Sequence, residues 1–183
     1  MLVAKQVADL ITYFRALTGI VMVWLGFEMG GEGLPLVAWL LVLDWTGDSL
    51  DGSLARRSRR KYSTWIGDHD LQVDMFVSLG LLVYLMLAGY VNLWLAAAYL
   101  LVWVWVFWRL GVPPALGMLF QAPIYAWFIA IALSENLSIG CVPVLWISAA
   151  LILTWPRFPR QMIPEFLAGM RSVWQVLNPP PKR

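Results

Sequence analysis

Four aspartates set the chemistry open to this chain. Asp48 and Asp51 stand three residues apart, and Asp70 and Asp74 four apart. On a helix, either spacing puts both carboxylates on one face. Two helices joined by a short loop then bring all four into one pocket. Such an all-oxygen set suits Mg²⁺, Mn²⁺ or Ca²⁺ rather than zinc. Gly52 follows one turn after Asp48, and Ala55 one turn after Asp51. The same face therefore carries carboxylates and then two positions with almost no side chain, where a bulky ligand can lie on the backbone. Arg56 comes next, with a guanidinium fork shaped for phosphate. Carboxylates, a hard cation, a bare helical surface and an arginine together read as a site for a nucleotide diphosphate at a membrane surface.

The membrane is implied by everything around these residues. The chain has 183 residues, of which 61% are hydrophobic and only 13% charged, and its mean hydropathy is +0.71. Those values exclude an ordinary soluble domain and predict an all-α integral membrane protein with a single domain, 1–183. A carboxylate near the middle of an apolar span costs roughly 2.5–3.5 kcal/mol on insertion scales, so the acidic cluster needs cationic partners. A single cysteine, Cys141, excludes an intrachain disulfide. The first apolar run lacks a small-residue cleavage site and reads as a retained span.

Hydropathy and turn signals predict six transmembrane helices, at about 9–27, 35–56, 65–88, 93–108, 115–133 and 139–155. Gly-rich, Asn-containing or Pro-containing stretches separate them: 28–35, 89–92, 109–114 and 134–138. A short basic loop, 57–63, joins the two acidic pairs. Val3, Val7, Leu10, Ile11 and Phe14 recur at helical spacing, so residues 1–8 read as an interfacial helix turning into the first span. At the other end, Ile163, Phe166, Leu167, Met170, Val173, Trp174 and Leu177 share one face over 158–177, which reads as a second interfacial helix.

Six spans put both termini on one side of the bilayer. All 13 Lys and Arg then fall on that side, including Arg15, Arg56, Arg109, Arg157 and Arg160, whereas the opposite loops carry Glu28, Glu32 and Glu135 with no Lys or Arg. By the positive-inside rule the termini and the acidic cluster are cytoplasmic, and the protein is a multi-pass cell membrane protein.

The spacing D-x2-D-G-x2-A-R over Asp48, Asp51, Gly52, Ala55 and Arg56, followed by D-x3-D over Asp70 and Asp74, resembles the signature of the CDP-alcohol phosphotransferases. The likeness extends to the first span, where Ile11-Thr12-Tyr13-Phe14-Arg15 is similar to that family's I-T-x-x-R. The family's glycine four residues before the third aspartate is Ile66 here, with Gly67 one position later. The resemblance implies transfer of a phosphatidyl-type group from a CDP-linked lipid such as CDP-diacylglycerol to a small alcohol or alcohol phosphate, with release of CMP. It implies two divalent cations, Mg²⁺ or Mn²⁺, on Asp48, Asp51, Asp70 and Asp74, with Asp74 also the base that takes the acceptor's proton. It assigns the nucleotide to Asp48, Gly52, Ala55 and Arg56, and suggests a homodimer among membrane lipids. No nucleic-acid partner is expected.

Other residues admit two readings. Asp44, one turn before Asp48, reads as an acceptor for an arginine or for Thr12, with metal ligation the alternative. His69 reads as a loop residue near the headgroups rather than a base. Arg15 either reaches lipid phosphate or turns into the site. Arg109, Arg157 and Arg160 either meet the phosphate of an acceptor or are plain positive-inside anchors. Trp103, Trp105 and Trp108 read as lipid-facing or as packing between subunits. Two other functions compete with transfer: a cation-coupled transporter using intramembrane aspartates, and an inactive lipid-binding relative.

Overall fold

The computed structural model describes residues 2–57 and 69–178, with side chains over 9–50 and 69–178. Among the described residues the fold is all-helical. Seven α-helices follow one another: α1 Leu2–Met29, α2 Leu34–Arg57, α3 Asp70–Leu87, α4 Leu93–Leu110, α5 Pro114–Glu135, α6 Leu137–Leu153 and α7 Ile163–Leu177. A 3₁₀ turn, Gly30–Gly33, joins α1 to α2, and a wide π turn, Phe158–Met162, precedes α7.

Local chemistry explains most of the boundaries. Gly30, at φ 52°, opens the reversal after α1. The Asn92 side chain caps α4 by accepting from Trp94 N at 2.8 Å, and Asn136 caps α6 by accepting from Ser138 N at 3.0 Å. Gly111, at φ 72°, ends α4 before Pro114 starts α5 at its first turn.

Four stretches are long and apolar enough to cross a membrane: Asp9–Leu50, Asp70–Leu87, Leu93–Leu110 and Pro114–Glu135. A fifth appears if α6 and the segment Phe158–Leu177, bent by 84°, count together. The first stretch holds 42 residues; as one straight helix it would reach about 63 Å, twice a bilayer's hydrocarbon core of about 30 Å. It folds back on itself instead. A Cβ on Gly33 would lie 3.6 Å from Leu25 O, and one on Gly47 would lie 3.2 Å from Ile11 Cγ2, so α1 and α2 form an antiparallel hairpin.

The amphipathic run at 1–8 is not a separate helix. From Leu2 to Met29 the helix is unbroken, because nothing before Gly19 interrupts a helix and Ala4, Lys5, Gln6 and Ala8 favour one. The segment expected to form a second interfacial helix is helical as α7, in a stretch bent by 84° from α6. One edge of its apolar face is sheltered: Val173 is buried, and Gly169 packs against Ala115 of α5. Ile163, Leu167, Trp174 and Leu177 stay exposed.

α3 is the hub. It runs parallel to α1, and Gly19 and Gly80 meet at the crossing, where the backbones approach so closely that a Cβ on Gly80 would lie 2.9 Å from Gly19 Cα. α3 also runs parallel to α5, and Leu71 fills the notch left by Gly117. The core is Met22 and Leu25 from α1, Val37 and Leu41 from α2, Val77, Leu81 and Tyr84 from α3, and Phe128 from α5. α4 packs at the periphery. Trp105 and Trp108 face outward as expected, but Trp103 packs inward, its ring centre 5.2 Å from that of Phe107 and 5.7 Å, edge-on, from that of Phe120.

These contacts sort the helix ends. Leu71–Gly117 and Ala115–Gly169 lie at one end of the bundle, together with the acidic segments. The hydrogen bond from Tyr84 OH to Gly30 O, 3.1 Å, lies at the other. The outer surface between the ends is apolar, as a bilayer requires.

Candidate functional site

The site forms where three helices meet: the first half of α1, the second half of α2 and the start of α3. At its centre is Arg15. Its Nε lies 3.2 Å from Asp44 Oδ1, and its Nη1 lies 3.1 Å from Asp48 Oδ1 and 3.0 Å from Asp70 Oδ1. Its Nη2 pairs with Asp74 Oδ1. Asp70 and Asp74 thus converge with Asp48 and Asp44, and the arginine on α1 gathers them; the Asp51 side chain, expected beside Asp48, lies outside the described residues.

Local sequence allows this. Asp44 and Asp48 are one turn apart on α2, as are Asp70 and Asp74 on α3, so each pair lines one face. Gly47 clears the space between them: a Cβ there would stand 3.2 Å from Arg15 Cδ, so the absent side chain lets the arginine stem cross α2. Thr12, one turn before Arg15, is buried on the same face of α1.

Exposure grades across the cluster. The Arg15 and Asp44 side chains are 4% and 2% exposed, while Asp74 is 25%, Asp70 44% and Asp48 47% exposed. Asp44 is the buried floor, and the other three carboxylates open outward. Among the described residues, one guanidinium faces four carboxylates, a formal excess of three negative charges that favours cations.

Asp48, Asp70 and Asp74 each offer a carboxylate oxygen, and these oxygens lie within 4.8 Å of one another. Two ligands on opposite sides of a hard divalent cation stand about 4–5 Å apart, so the donor set fits Mg²⁺, Mn²⁺ or Ca²⁺ both in spacing and in chemistry. Asp51, Gly52, Ala55 and Arg56 lie on the last two turns of α2, as the sequence predicts; their side chains are outside the described residues. So are Ile66, Gly67 and the basic loop from 58.

Apolar grooves flank the cluster on both sides of α1. One, of about 450 Å³, runs between α1 and α2 past Ile11, Phe14, Leu17 and Leu43, and Arg15 and Asp44 form part of its wall. The other, of about 290 Å³, lies between α1 and α3 and is lined by Tyr13, Ala16, Val73 and Phe76 with His69 at its rim. His69 precedes the first turn of α3, as a residue at the helix edge. Arg109, Arg157 and Arg160 are exposed and, among the described residues, make no ion pair with the four carboxylates.

The sequence reading did not foresee the aromatic buttress behind the cluster. Trp45 stands between Asp44 and Thr46 and meets Tyr125 edge-on at 5.4 Å and Trp146 at 5.3 Å. Trp146 Nε1 donates to Thr46 Oγ1 at 2.9 Å. These contacts tie the acidic part of α2 to α5 and α6. No spacing rule links residues 100 positions apart, so only the folded chain reveals them.

A scan against protein-family models finds none that matches the chain, and searches of curated proteins and of solved structures find no match either.

Proposed function

We propose that the chain is a membrane phosphotransferase of the CDP-alcohol type. It moves a phosphatidyl-type group from a CDP-linked lipid to a small alcohol or alcohol phosphate and releases CMP. The observation that carries this reading is the convergence of Asp48, Asp70 and Asp74 within one cation's reach, at positions whose spacing resembles that family's signature.

In the proposed reaction, Asp74 takes the proton of the acceptor hydroxyl as its oxygen attacks the β-phosphorus of the donor. The bond from that phosphorus to the bridging oxygen breaks, and CMP leaves with the electron pair. Bound divalent cations on Asp48, Asp51, Asp70 and Asp74 supply charge stabilisation for the diphosphate. Gly52, Ala55 and Arg56, with Asp48, seat the cytidine nucleotide. The apolar grooves beside α1 suit acyl chains, and their walls end at the carboxylates. Arg109, Arg157 and Arg160 are candidate contacts for the phosphate of a phosphorylated acceptor.

The proposed topology has six spans, with α1 and α2 crossing separately, α6 the last, and α7 lying on the surface. Both termini and the acidic cluster are then cytoplasmic, where CDP-lipids are found; the one-sided distribution of Lys and Arg supports this. A transporter is the weaker reading, because α4, α5 and α6 carry no acid within their apolar runs to continue a path. Metal-dependent release of CMP from CDP-diacylglycerol, measured against a panel of alcohols, tests the proposal.

A further inference from the structure

We propose that Arg15 is a built-in counter-cation that holds the acidic cluster closed, and that a divalent cation enters by displacing its two terminal nitrogens while Nε stays on Asp44. This rests on the metal-dependent reading above and adds a control element to the same site.

Three observations lead to it. First, the terminal nitrogens touch the very carboxylates that could ligate a cation: Nη1 lies 3.1 Å from Asp48 and 3.0 Å from Asp70, and Nη2 pairs with Asp74. A positive guanidinium in contact with all three repels an incoming divalent ion and holds lone pairs that the ion needs. Second, the arginine is divided between two environments. Its Nε partner, Asp44, is 2% exposed and lies outside the carboxylate trio that could share an ion, whereas the partners of its terminal nitrogens are a quarter to a half exposed. The inner contact is the harder one to break, because breaking it strands a buried charge. Third, the stem is guided rather than loose: Gly47 opens a slot for it, and Arg15 and Asp44 also wall the groove between α1 and α2. A swing of the terminal guanidinium about a fixed Nε can therefore bring it from the carboxylates toward whatever occupies that groove.

Arg15 on this account does for the empty cluster what the cation does for the loaded one. It offsets the repulsion among Asp48, Asp70 and Asp74, keeps α1, α2 and α3 together, and makes metal entry a competition. An arginine that merely positions the ligands makes the opposite prediction, since its loss would scatter the carboxylates and weaken binding.

The test is Mn²⁺ binding to the purified protein in lipid nanodiscs, by calorimetry and by the electron paramagnetic resonance of free Mn²⁺, for the wild type, Arg15→Gln and Arg15→Lys. Removing the competing charge should tighten Mn²⁺ binding in Arg15→Gln by about tenfold or more. Arg15→Lys, which keeps a charge but loses the fork that spans the carboxylates, should also bind more tightly, by a smaller factor. It carries the test if Arg15→Gln does not fold. Thermal unfolding gives a second readout: Mg²⁺ should raise the melting temperature of either variant by more than it raises the wild type's. Tighter binding in a variant when the wild type binds no detectable Mn²⁺ also supports the inference. Unchanged or weaker binding in both variants overturns it while leaving the metal site intact; an absence of binding in all three proteins overturns both it and the metal-dependent function.

Discussion

Arg15 Nε on α1 meets Asp44 Oδ1 on α2 at 3.2 Å, and neither side chain is more than 4% exposed. This ion pair is the deepest point of the cluster and links the two arms of the first hairpin. Without Asp44, Arg15 keeps Asp48, Asp70 and Asp74, but its buried Nε–H loses its acceptor. Asp44→Ala should therefore destabilise the protein by about 1–3 kcal/mol, read as a loss of resistance to chemical or thermal unfolding in detergent. A cost below about 1 kcal/mol, the range of an exposed pair, would show that the two groups are solvated and that the site is looser than described.

Asp74 sits on the open side of the cluster and is proposed as the base. Asp74→Asn keeps the shape and the hydrogen-bonding capacity but cannot take a proton. CMP release should fall by about 10³-fold, within the range for loss of a general base or a ligand, while the helical content and melting temperature stay close to the parent's. Full activity in this variant would remove Asp74 from the proposed chemistry.

The crossing of α1 and α3 tolerates no side chain at Gly80. An added methyl would press on Gly19 at 2.5 Å from its carbonyl oxygen and 2.9 Å from its Cα, and backbone cannot step aside as a flexible side chain can. Gly80→Ala should destabilise by about 1–3 kcal/mol. Because Gly19 lies one turn from Arg15, the same change should lower Mn²⁺ affinity. A stability gain, as expected for alanine in an unhindered helix, would show that the helices do not meet there.

The proposed topology makes opposite forecasts for the two ends of the bundle. In a Cys141→Ser background expressed in bacterial cells, Glu32→Cys should react with a membrane-impermeant maleimide in intact cells. Val112→Cys, in the exposed link between α4 and α5, should react only after permeabilisation. The reverse pattern would invert the bundle and turn the acidic cluster away from the cytoplasm.

Much of the architecture was legible because local chemistry determines it. Asn92, Asn136, Gly111 and Pro114 mark helix ends through capping, left-handed backbone or a missing N–H, and each acts within a few residues of the boundary it sets. The Asp70–Asp74 pair was legible for the same reason, since i,i+4 spacing is a property of one helix. The partner of these carboxylates was not. Arg15 is 55 and 59 residues from Asp70 and Asp74, and nothing in its neighbourhood distinguishes an arginine that turns inward from one that reaches for a headgroup. The Trp146–Thr46 bond and the inward turn of Trp103 were hidden likewise. Tryptophan suits a lipid interface and a helix crossing equally well, so its type does not reveal its side. That one unbroken helix runs from Leu2 to Met29 was not legible, because amphipathic spacing describes a face, and a face can continue into a span.

The central claim is tested most directly by following CMP release from CDP-diacylglycerol in nanodiscs, with Mg²⁺ or Mn²⁺ and then with excess chelator, across glycerol 3-phosphate, inositol, inositol phosphate and serine. The expected result is release that requires both the metal and one acceptor, and that chelation abolishes. No release with any acceptor, in a preparation that binds Mn²⁺ and is folded, would contradict the assignment of this cluster to CDP-lipid chemistry.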